Sequence, residues 1–435
     1  MPTGCIRACR RGWPQLDNIT HTLIGALVGE ALARRARPRG RPAPLRSALP
    51  DSTFRRLVVV SLVVGSNLPD ADLLYTSFGG GPLAYVLQHR GYTHTLVGAL
   101  AGAALLWFAC SLWLRYRHLR ATAVEQTWIA AAAITGVLLH LAMDYTNNYG
   151  VHPFWPFYDG WVYGDSVFIV EPLLWLAAAP LVFVLESTTA RVLVAVALGL
   201  IAIAVLALGR VATPAVVLFV VLGAAMVAAG RWLRPAVALG CGIACWLGVT
   251  ALFGVASHVA ATRLDGMAHE QFPGSRTFDR VLTPTPADPV CWDGWLVQSQ
   301  NGEEIMRQAR ISLLPGLIDA RDCRGVDLVA QEGDPVPADS TAGLDWLQQF
   351  SMPAGRIALL ARTQCRARAF MQFARVPMAG GEGTHWWLAD LRFGVRRGFA
   401  SLPLTQPPQP CDFPPVPWLP PRPELLNLRE TRDEE

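Results

Sequence analysis

The stretch "HRGYTHTLVGALAGAALLWFACSLWL" (His89–Leu114) changes within a few residues from polar, histidine-containing sequence to a long apolar run. An α-helix needs about 20 mainly apolar residues to cross a bilayer, and the run that starts at Thr95 has that length. The same Thr-His-Thr-Leu sequence occurs earlier, in "DNITHTLIGAL" (Asp17–Leu27). A histidine that twice opens an apolar segment indicates that polar side chains gather at helix ends of a membrane protein.

The composition supports a membrane protein with two regions. Of the 435 residues, 52% are hydrophobic and only 16% are charged, whereas soluble domains carry roughly 25% charged residues. The apolar character lasts from Thr95 to Ser257, and ordinary polarity follows from His258 to Glu435. A net charge of +4 from scattered basic residues does not indicate a nucleic-acid partner.

Six apolar segments are long enough, or nearly so, to span a bilayer. Two shorter stretches, Thr22–Ala33 and Leu57–Leu68, suit half-buried helices that pack against the bundle. The fold class is therefore mainly α, a polytopic helical membrane domain. The predicted spans are Thr95–Leu114, Trp128–Met143, Val167–Leu185, Val192–Leu208, Pro214–Gly230 and Pro235–Ser257.

Basic loops predict the orientation, because short loops rich in arginine stay in the cytoplasm. The loops Arg34–Arg46, Arg115–Arg120 and Arg231–Arg234 alternate consistently with the spans. The last span then carries the C-terminal region to the periplasmic side of the inner membrane, although the arginines at 7, 10 and 11 oppose this orientation. The predicted regions are a basic leader (1–16), the membrane domain (17–257), a soluble domain (279–400) and a proline-rich, charged, extended and mobile tail (401–435).

The C-terminal region predicts a small α+β domain with an antiparallel sheet. Alternating runs on both sides of "NGEE" (Asn301–Glu304) and of "GGEG" (Gly380–Gly383) indicate two hairpins. Between them, "TAGLDWLQQF" (Thr341–Phe350) predicts a short helix. The region's four cysteines permit two disulfides in an oxidising compartment, with the pairing open, or four reduced thiols.

Ionisable residues lie beside the apolar segments at their predicted outer ends. Burying such groups near lipid is costly, and a shared divalent cation would offset the cost. His140 and Asp144 are spaced i, i+4 and share a helix face, while "PDAD" (Pro69–Asp72) places two carboxylates in a turn. Mixed imidazole and carboxylate ligands suit zinc, with manganese or iron as alternatives. The candidate ligands are His21, Asp70, Asp72, His89, His94, His140 and Asp144, enough for two or three ions.

Each motif also has a structural interpretation. Thr20 or Thr93 would cap a helix, the carboxylates of "PDAD" would stabilise a turn, and His140 with Asp144 would form a hydrogen-bonded pair. The four clusters together favour a metal site.

These motifs resemble the YdjM-like family, bacterial inner-membrane proteins to which metal-dependent hydrolysis is ascribed. The matching stretches run from about Asp17 to Pro172 and contain all seven candidate ligands. The resemblance implies a helical membrane domain that binds a divalent metal through them. Glu171 stands where the family pattern leads us to expect aspartate. The histidine and aspartate set is also similar, more remotely, to the zinc-dependent phospholipase C fold, which uses three zinc ions. The matching stretches are "DNITHTLIG", "NLPDADLL", "HRGYTHTLVG", "HLAMDYTNNYGVHPFWPF" and "DSVFIVEP".

The sequence therefore predicts a membrane-bound metal-dependent hydrolase of phosphoester or ester bonds. Membrane lipid is the expected partner, and a lipid or lipid-linked molecule the expected substrate; no protein partner of the soluble domain is indicated. Asp70, Asp165 and Glu171 are the candidate catalytic residues. The alternative is a non-catalytic metal-binding or transport protein, although transport sites usually lie near the bilayer midplane.

Overall fold

A computed structural model describes residues 13–37, 48–76, 81–207, 209, 211–325, 332–395, 399–405, 407–411 and 415–426. The described residues are mainly helical, with small antiparallel sheets near the C-terminus, as predicted. They divide into two compact units. The first unit comprises Met1–Ala71, Tyr92–Trp155 and Phe168–Leu252; the second comprises Asp72–Gly91, Pro156–Val167 and Phe253–Glu435.

Helices dominate the chain up to residue 271, with short 3-10 turns at Pro69–Ala71 and Tyr92–His94. Of the predicted leader, residues 1–12 lie outside the described residues and 13–16 begin the first helix. The helices are α1 (Trp13–Ala36), α2 (Asp51–Gly65), α3 (Asp72–Thr76), α4 (Gly81–Gln88), α5 (Leu96–Tyr116), α6 (Ala123–Tyr145), α7 (Pro172–Leu176), α8 (Leu181–Val184), α9 (Thr188–Ala207), α10 (Thr213–Trp232), α11 (Pro235–Gln271), α12 (Arg356–Thr363) and α13 (Cys365–Phe370).

Among the described helices, five are long and apolar enough to cross a membrane, namely α5, α6, α9, α10 and α11. A sixth crossing results if α2 and the segment Pro69–Thr76 count as one span bent by 58°. Local sequence sets the helix starts: at α6, Thr122 and Glu125 form a reciprocal capping box. These helices confirm five of the six predicted spans, although α11 continues past Ser257 to Gln271.

The span predicted at Val167–Leu185 is wrong. This segment contains two short helices, α7 and α8, and most of its residues are buried within the protein. Proline accounts for the break, because it lacks the backbone N–H and favours the first turn of a helix. Pro172 starts α7 and Pro180 immediately precedes α8. Apolar composition here reflects packing inside the first unit rather than exposure to lipid.

Glycines allow α2 and α6 to pack unusually closely in the first unit. A Cβ atom added to Gly136 would lie 2.6 Å from the carbonyl oxygen of Leu62 and 2.9 Å from the backbone nitrogen of Ser66. At Gly65, an added Cβ would lie 2.9 Å from the carbonyl oxygen of Ala133. The two helices therefore meet backbone to backbone, where no larger side chain fits.

The second unit contains two antiparallel sheets. One has the strand order β1-β2-β3-β4 and the other β5-β6-β7. The hairpin predicted around "NGEE" is confirmed as β2–β3, with Asn301 (φ 53°) and Gly302 (φ 79°) at the turn, where left-handed residues match the strand twist. The strands are β1 (Arg276–Thr285), β2 (Asp288–Gln300), β3 (Glu303–Ser312), β4 (Leu344–Pro353), β5 (Pro377–Glu382), β6 (His385–Asp390) and β7 (Ser401–Thr405).

Two local predictions for this unit are wrong. The segment expected as a helix, Thr341–Phe350, contributes to β4, because every second residue from Leu344 onward is buried, as a strand requires. The tail expected to be extended and mobile begins with strand β7, and Trp418 is only 1% exposed, with its Nε1–H donating to the carbonyl of Leu87 (2.9 Å). The charged end Arg429–Glu435 lies outside the described residues.

The four cysteines of this unit form two disulfides. Cys291 pairs with Cys323 and Cys365 pairs with Cys411, at Cα–Cα distances of 5.5 and 6.0 Å. The sequence permitted this outcome without fixing the pairing. Among the described residues, the free cysteines lie in α5 and α11.

Candidate metal centre

Four side chains from three parts of the first unit converge at the ends of its helices. Asp70 lies in the 3-10 turn after α2, His94 in the turn before α5, and His140 and Asp144 one turn apart near the end of α6. All four are buried, with the two histidines fully inaccessible to solvent. These residues offer one ligand atom each within 4.8 Å of one another.

The distances between their polar atoms are those of ligands around a common centre. The Nε2 atoms of His94 and His140 lie 3.0 Å apart. Asp144 Oδ2 lies 3.2 Å from His94 Nε2 and 3.3 Å from His140 Nε2. Asp70 Oδ1 lies 3.3 and 3.6 Å from the same two nitrogens. Two imidazoles and two carboxylates thus point to one small volume.

Hydrogen bonds on the far side of each ring orient the imidazoles. His140 Nδ1 lies 2.9 Å from the backbone carbonyl oxygen of Ser66. Because a carbonyl only accepts, Nδ1 carries the proton and Nε2 presents its lone pair to the cluster. Thr93 Oγ1 lies 3.0 Å from His94 Nδ1 and orients that ring. Metal-binding histidines are typically held in this way.

The Thr-His-Thr sequences have several roles. Thr95, rather than Thr93, caps α5 by accepting a hydrogen bond from the backbone N–H of Gly98 (2.9 Å). Thr20 lies inside α1 and does not cap it; its hydroxyl accepts a hydrogen bond from Trp175 Nε1–H (2.9 Å). The threonines therefore position the histidine-bearing segments by three different contacts.

His21 lies beside the four-residue cluster together with Asp17, which the sequence analysis did not select. His21 Nε2 lies 3.3 Å from Asp144 Oδ1 and 3.6 Å from Asp17 Oδ1. Its ring stacks on His140 with centroids 4.1 Å apart. Asp17 and His21 are spaced i, i+4, the same signal that selected His140 and Asp144, and that spacing would have identified Asp17.

The residues present fit a divalent cation. Imidazole nitrogen and carboxylate oxygen in equal number form a ligand set typical of zinc, and manganese or iron accept the same donors. The centre is buried, so the carboxylates need a positive charge nearby to offset their desolvation. His21 is only 1% exposed, and its Nδ1 has no hydrogen-bond partner among the described residues.

Asp72 and His89, also predicted as ligands, contact each other in the second unit. His89 Nδ1 lies 3.0 Å from Asp72 Oδ1, and the backbone N–H of Arg90 donates to Asp72 Oδ2 (3.0 Å). Asp72 is completely buried. This arrangement is a hydrogen-bonded pair, and a ligand role for these two residues stays a prediction.

Asp165 is engaged by an arginine 210 positions away in the second unit. Arg375 donates to both carboxylate oxygens of Asp165 (2.7 and 2.8 Å) and to Asp279 Oδ2 (2.7 Å). The guanidinium also lies 4.0 Å from the ring centre of Tyr163. Burial raises the pKa of Asp165, and the ion pair with Arg375 opposes that shift. The geometry gives this carboxylate a structural partner, and a catalytic role for Asp165 stays a prediction.

Glu171 acts as the N-cap of α7. Its Oε1 accepts a hydrogen bond from the backbone N–H of Leu173 (2.9 Å), and the residue is completely buried in the first unit. A role for Glu171 as a general base stays a prediction.

The opposite ends of α1 and α6 carry arginine-based ion pairs. Arg37 pairs with Glu125 in the first turn of α6. Glu30 accepts hydrogen bonds from Arg34 Nε (2.8 Å) and Arg55 Nη2 (2.9 Å). Carboxylates are therefore neutralised by guanidinium groups at one end of the first unit and face imidazoles at the other.

Fold and site together define a polytopic helical membrane protein with a buried histidine–aspartate cluster at its helix ends. Residues 16–213 match the model of the family described as YdjM inner membrane protein, so the resemblance drawn from the motifs is confirmed. The match covers less than half of the chain and includes every residue of the cluster. The chain is a multi-pass inner-membrane protein.

The alignment with a relative among curated proteins is also short. The chain is 24% identical over 127 residues to "Uncharacterized protein YfhP" of Bacillus subtilis (strain 168). The alignment covers 29% of this chain and 36% of that relative, so it spans about a third of the relative's length. No solved structure matches the chain.

Proposed function

We propose that the protein is a metal-dependent hydrolase that cleaves phosphoester or ester bonds of a lipid or lipid-linked substrate at the outer face of the inner membrane. The observation that carries this proposal is the convergence of Asp70, His94, His140 and Asp144 within 3.0–3.6 Å in a buried centre. A divalent cation there, with zinc favoured, would supply Lewis-acid chemistry and lower the pKa of water.

The surrounding residues hold the candidate ligands in the orientation that cation binding requires. The carbonyl of Ser66 and the hydroxyl of Thr93 fix the two imidazoles, so that little reorganisation is needed when a cation binds. Asp70 belongs to a turn and faces both imidazoles, which suits a carboxylate that binds the cation or accepts a proton from water. The cluster's position at helix ends suits a scissile bond near the lipid headgroup.

The direct test uses the full chain purified in detergent, stripped of metal by chelation and reloaded with zinc or manganese. We expect the loaded protein, and not the stripped one, to hydrolyse at least one member of a panel of phosphodiesters, phosphomonoesters and carboxylic esters. Metal content is measured in the same samples. A fully loaded protein that hydrolyses nothing in the panel would favour the non-catalytic metal-binding alternative.

We also propose that the soluble C-terminal domain (279–400) lies in the periplasm. Two features support this orientation: disulfides persist in oxidising compartments, and the arginine-rich helix ends of the first unit suit the cytoplasmic side.

Thiol counting tests the periplasmic location. When cells are lysed directly into denaturant with an alkylating reagent, reduction beforehand should expose four additional thiols per chain, those of Cys291, Cys323, Cys365 and Cys411. A periplasm-specific reporter fused to the C-terminus should be active in the same strain. Equal alkylation with and without reductant, together with an inactive reporter, would place the region in the cytoplasm.

A further inference from the structure

The two oxygens of Asp144 face different sets of side chains. Oδ2 lies within 3.3 Å of His94 Nε2 and His140 Nε2. Oδ1 lies 3.3 Å from His21 Nε2. Asp17, one helical turn before His21, completes this second group, and its members offer ligand atoms within 4.8 Å of one another. A carboxylate with one oxygen in each of two groups has the arrangement of a bridging ligand.

We infer that the protein has a second cation site, formed by Asp17, His21 and Asp144, and that Asp144 bridges it to the first site. This inference rests on the proposed function, because the first site is the one assigned there. The 4.1 Å stacking of His21 on His140 places one imidazole from each site side by side. The site uses an i, i+4 pair from α1, as the first site uses one from α6.

Charge balance supports a second ion. Three carboxylates, those of Asp17, Asp70 and Asp144, face three imidazoles in this buried region. With neutral imidazoles these three carboxylates carry three formal negative charges, which is more than the charge of one divalent cation. A centre with two divalent cations suits an anionic phosphoester better than a neutral ester, because both cations can stabilise its negatively charged oxygens.

Metal stoichiometry tests the second site without relying on activity. Stripped, reloaded protein should bind two zinc ions per chain, and the Asp17→Asn variant should bind one, with the remaining ion's affinity within about threefold of the wild type. The control Asp339→Asn changes an exposed aspartate of the second unit and should retain two ions. Two ions in Asp17→Asn, or one in the wild type, would refute the second site and leave the first intact. No ion in the wild type would refute the proposed function itself.

Two further measurements keep the inference testable if Asp17→Asn does not fold. In wild-type protein fully loaded with manganese, electron paramagnetic resonance should show an exchange-coupled pair, whereas isolated six-line signals at full loading would contradict a bridge. Inorganic phosphate should bind the loaded wild type at least tenfold more tightly than His21→Gln. Equal phosphate binding would remove the preference for phosphoesters.

Discussion

Replacing His140 with alanine is expected to remove most of the bound metal and to lower hydrolysis at least 100-fold. The imidazole supplies a ligand atom 3.0 Å from His94 Nε2, and alanine leaves that position without a donor. Loss of a residue that merely orients a ligand typically costs 10- to 100-fold, so loss of a ligand should cost at least as much. His94→Ala should behave in the same way.

The matched control is His258→Ala, which removes an exposed histidine of α11 that lies outside the cluster. Its metal content and activity should equal those of the wild type. Metal content is measured by mass spectrometry on protein that elutes as a single species, which separates loss of metal from loss of fold. Unchanged metal content in both His94→Ala and His140→Ala would show that this cluster is not the metal site.

The second large effect is expected on stability, from Arg375→Ala. The substitution leaves the largely buried carboxylate of Asp165 without its guanidinium partner and removes one of the two guanidinium groups that pair with Asp279, the other being that of Arg422 (3.3 Å). Breaking a buried pair in this way typically costs about 3–5 kcal/mol. We expect a comparable loss in the free energy of unfolding of the second unit, which corresponds to a fall in melting temperature of roughly 10 °C.

Arg280→Ala provides the control within the same unit. Its pair with Asp265 has a similar distance, 2.8 Å, but both side chains are almost half exposed, and such pairs contribute about 0–1 kcal/mol. The loss of unfolding free energy caused by Arg375→Ala should also become larger as the pH rises. Without the guanidinium, burial alone raises the pKa of Asp165, and a group with a raised pKa in the folded state destabilises the fold once it ionises. Equal melting temperatures for the two variants would contradict this account.

The convergence of Asp70, His94, His140 and Asp144 was predictable, because residues at regular helical spacings share a face and the ends of apolar segments are visible in the sequence. His140 and Asp144 share a face at i, i+4, and the turn after α2 follows from its proline. The role of Asp165 was not predictable, because its partner Arg375 is 210 residues away and the pairing depends on tertiary structure. The position of Asp17 beside His21 was predictable from the sequence, because the two residues are spaced i, i+4.

The two wrongly predicted secondary-structure elements were both inferred from apolar composition. In both Val167–Leu185 and Thr341–Phe350, apolar residues are frequent, and composition alone does not say whether lipid, a neighbouring helix or a sheet covers them. Pro172 and Pro180 break the first segment, and antiparallel pairing with β3 decides the second. The first segment is therefore determined by its prolines and the second by pairing with a strand that is distant in sequence. The periodicity of apolar residues reports neither feature.

The close glycine contact between α2 and α6 fixes the position of the candidate metal centre's His140 relative to Ser66. Gly136 lies one turn before His140, and the carbonyl that holds this histidine belongs to Ser66, next to Gly65. Alanine at either glycine would force α2 and α6 apart and move the carbonyl group of Ser66 away from the imidazole of His140. The geometry of the candidate metal centre therefore depends on glycine at both positions, and a redesign of this protein for another cation has to keep Gly65 and Gly136.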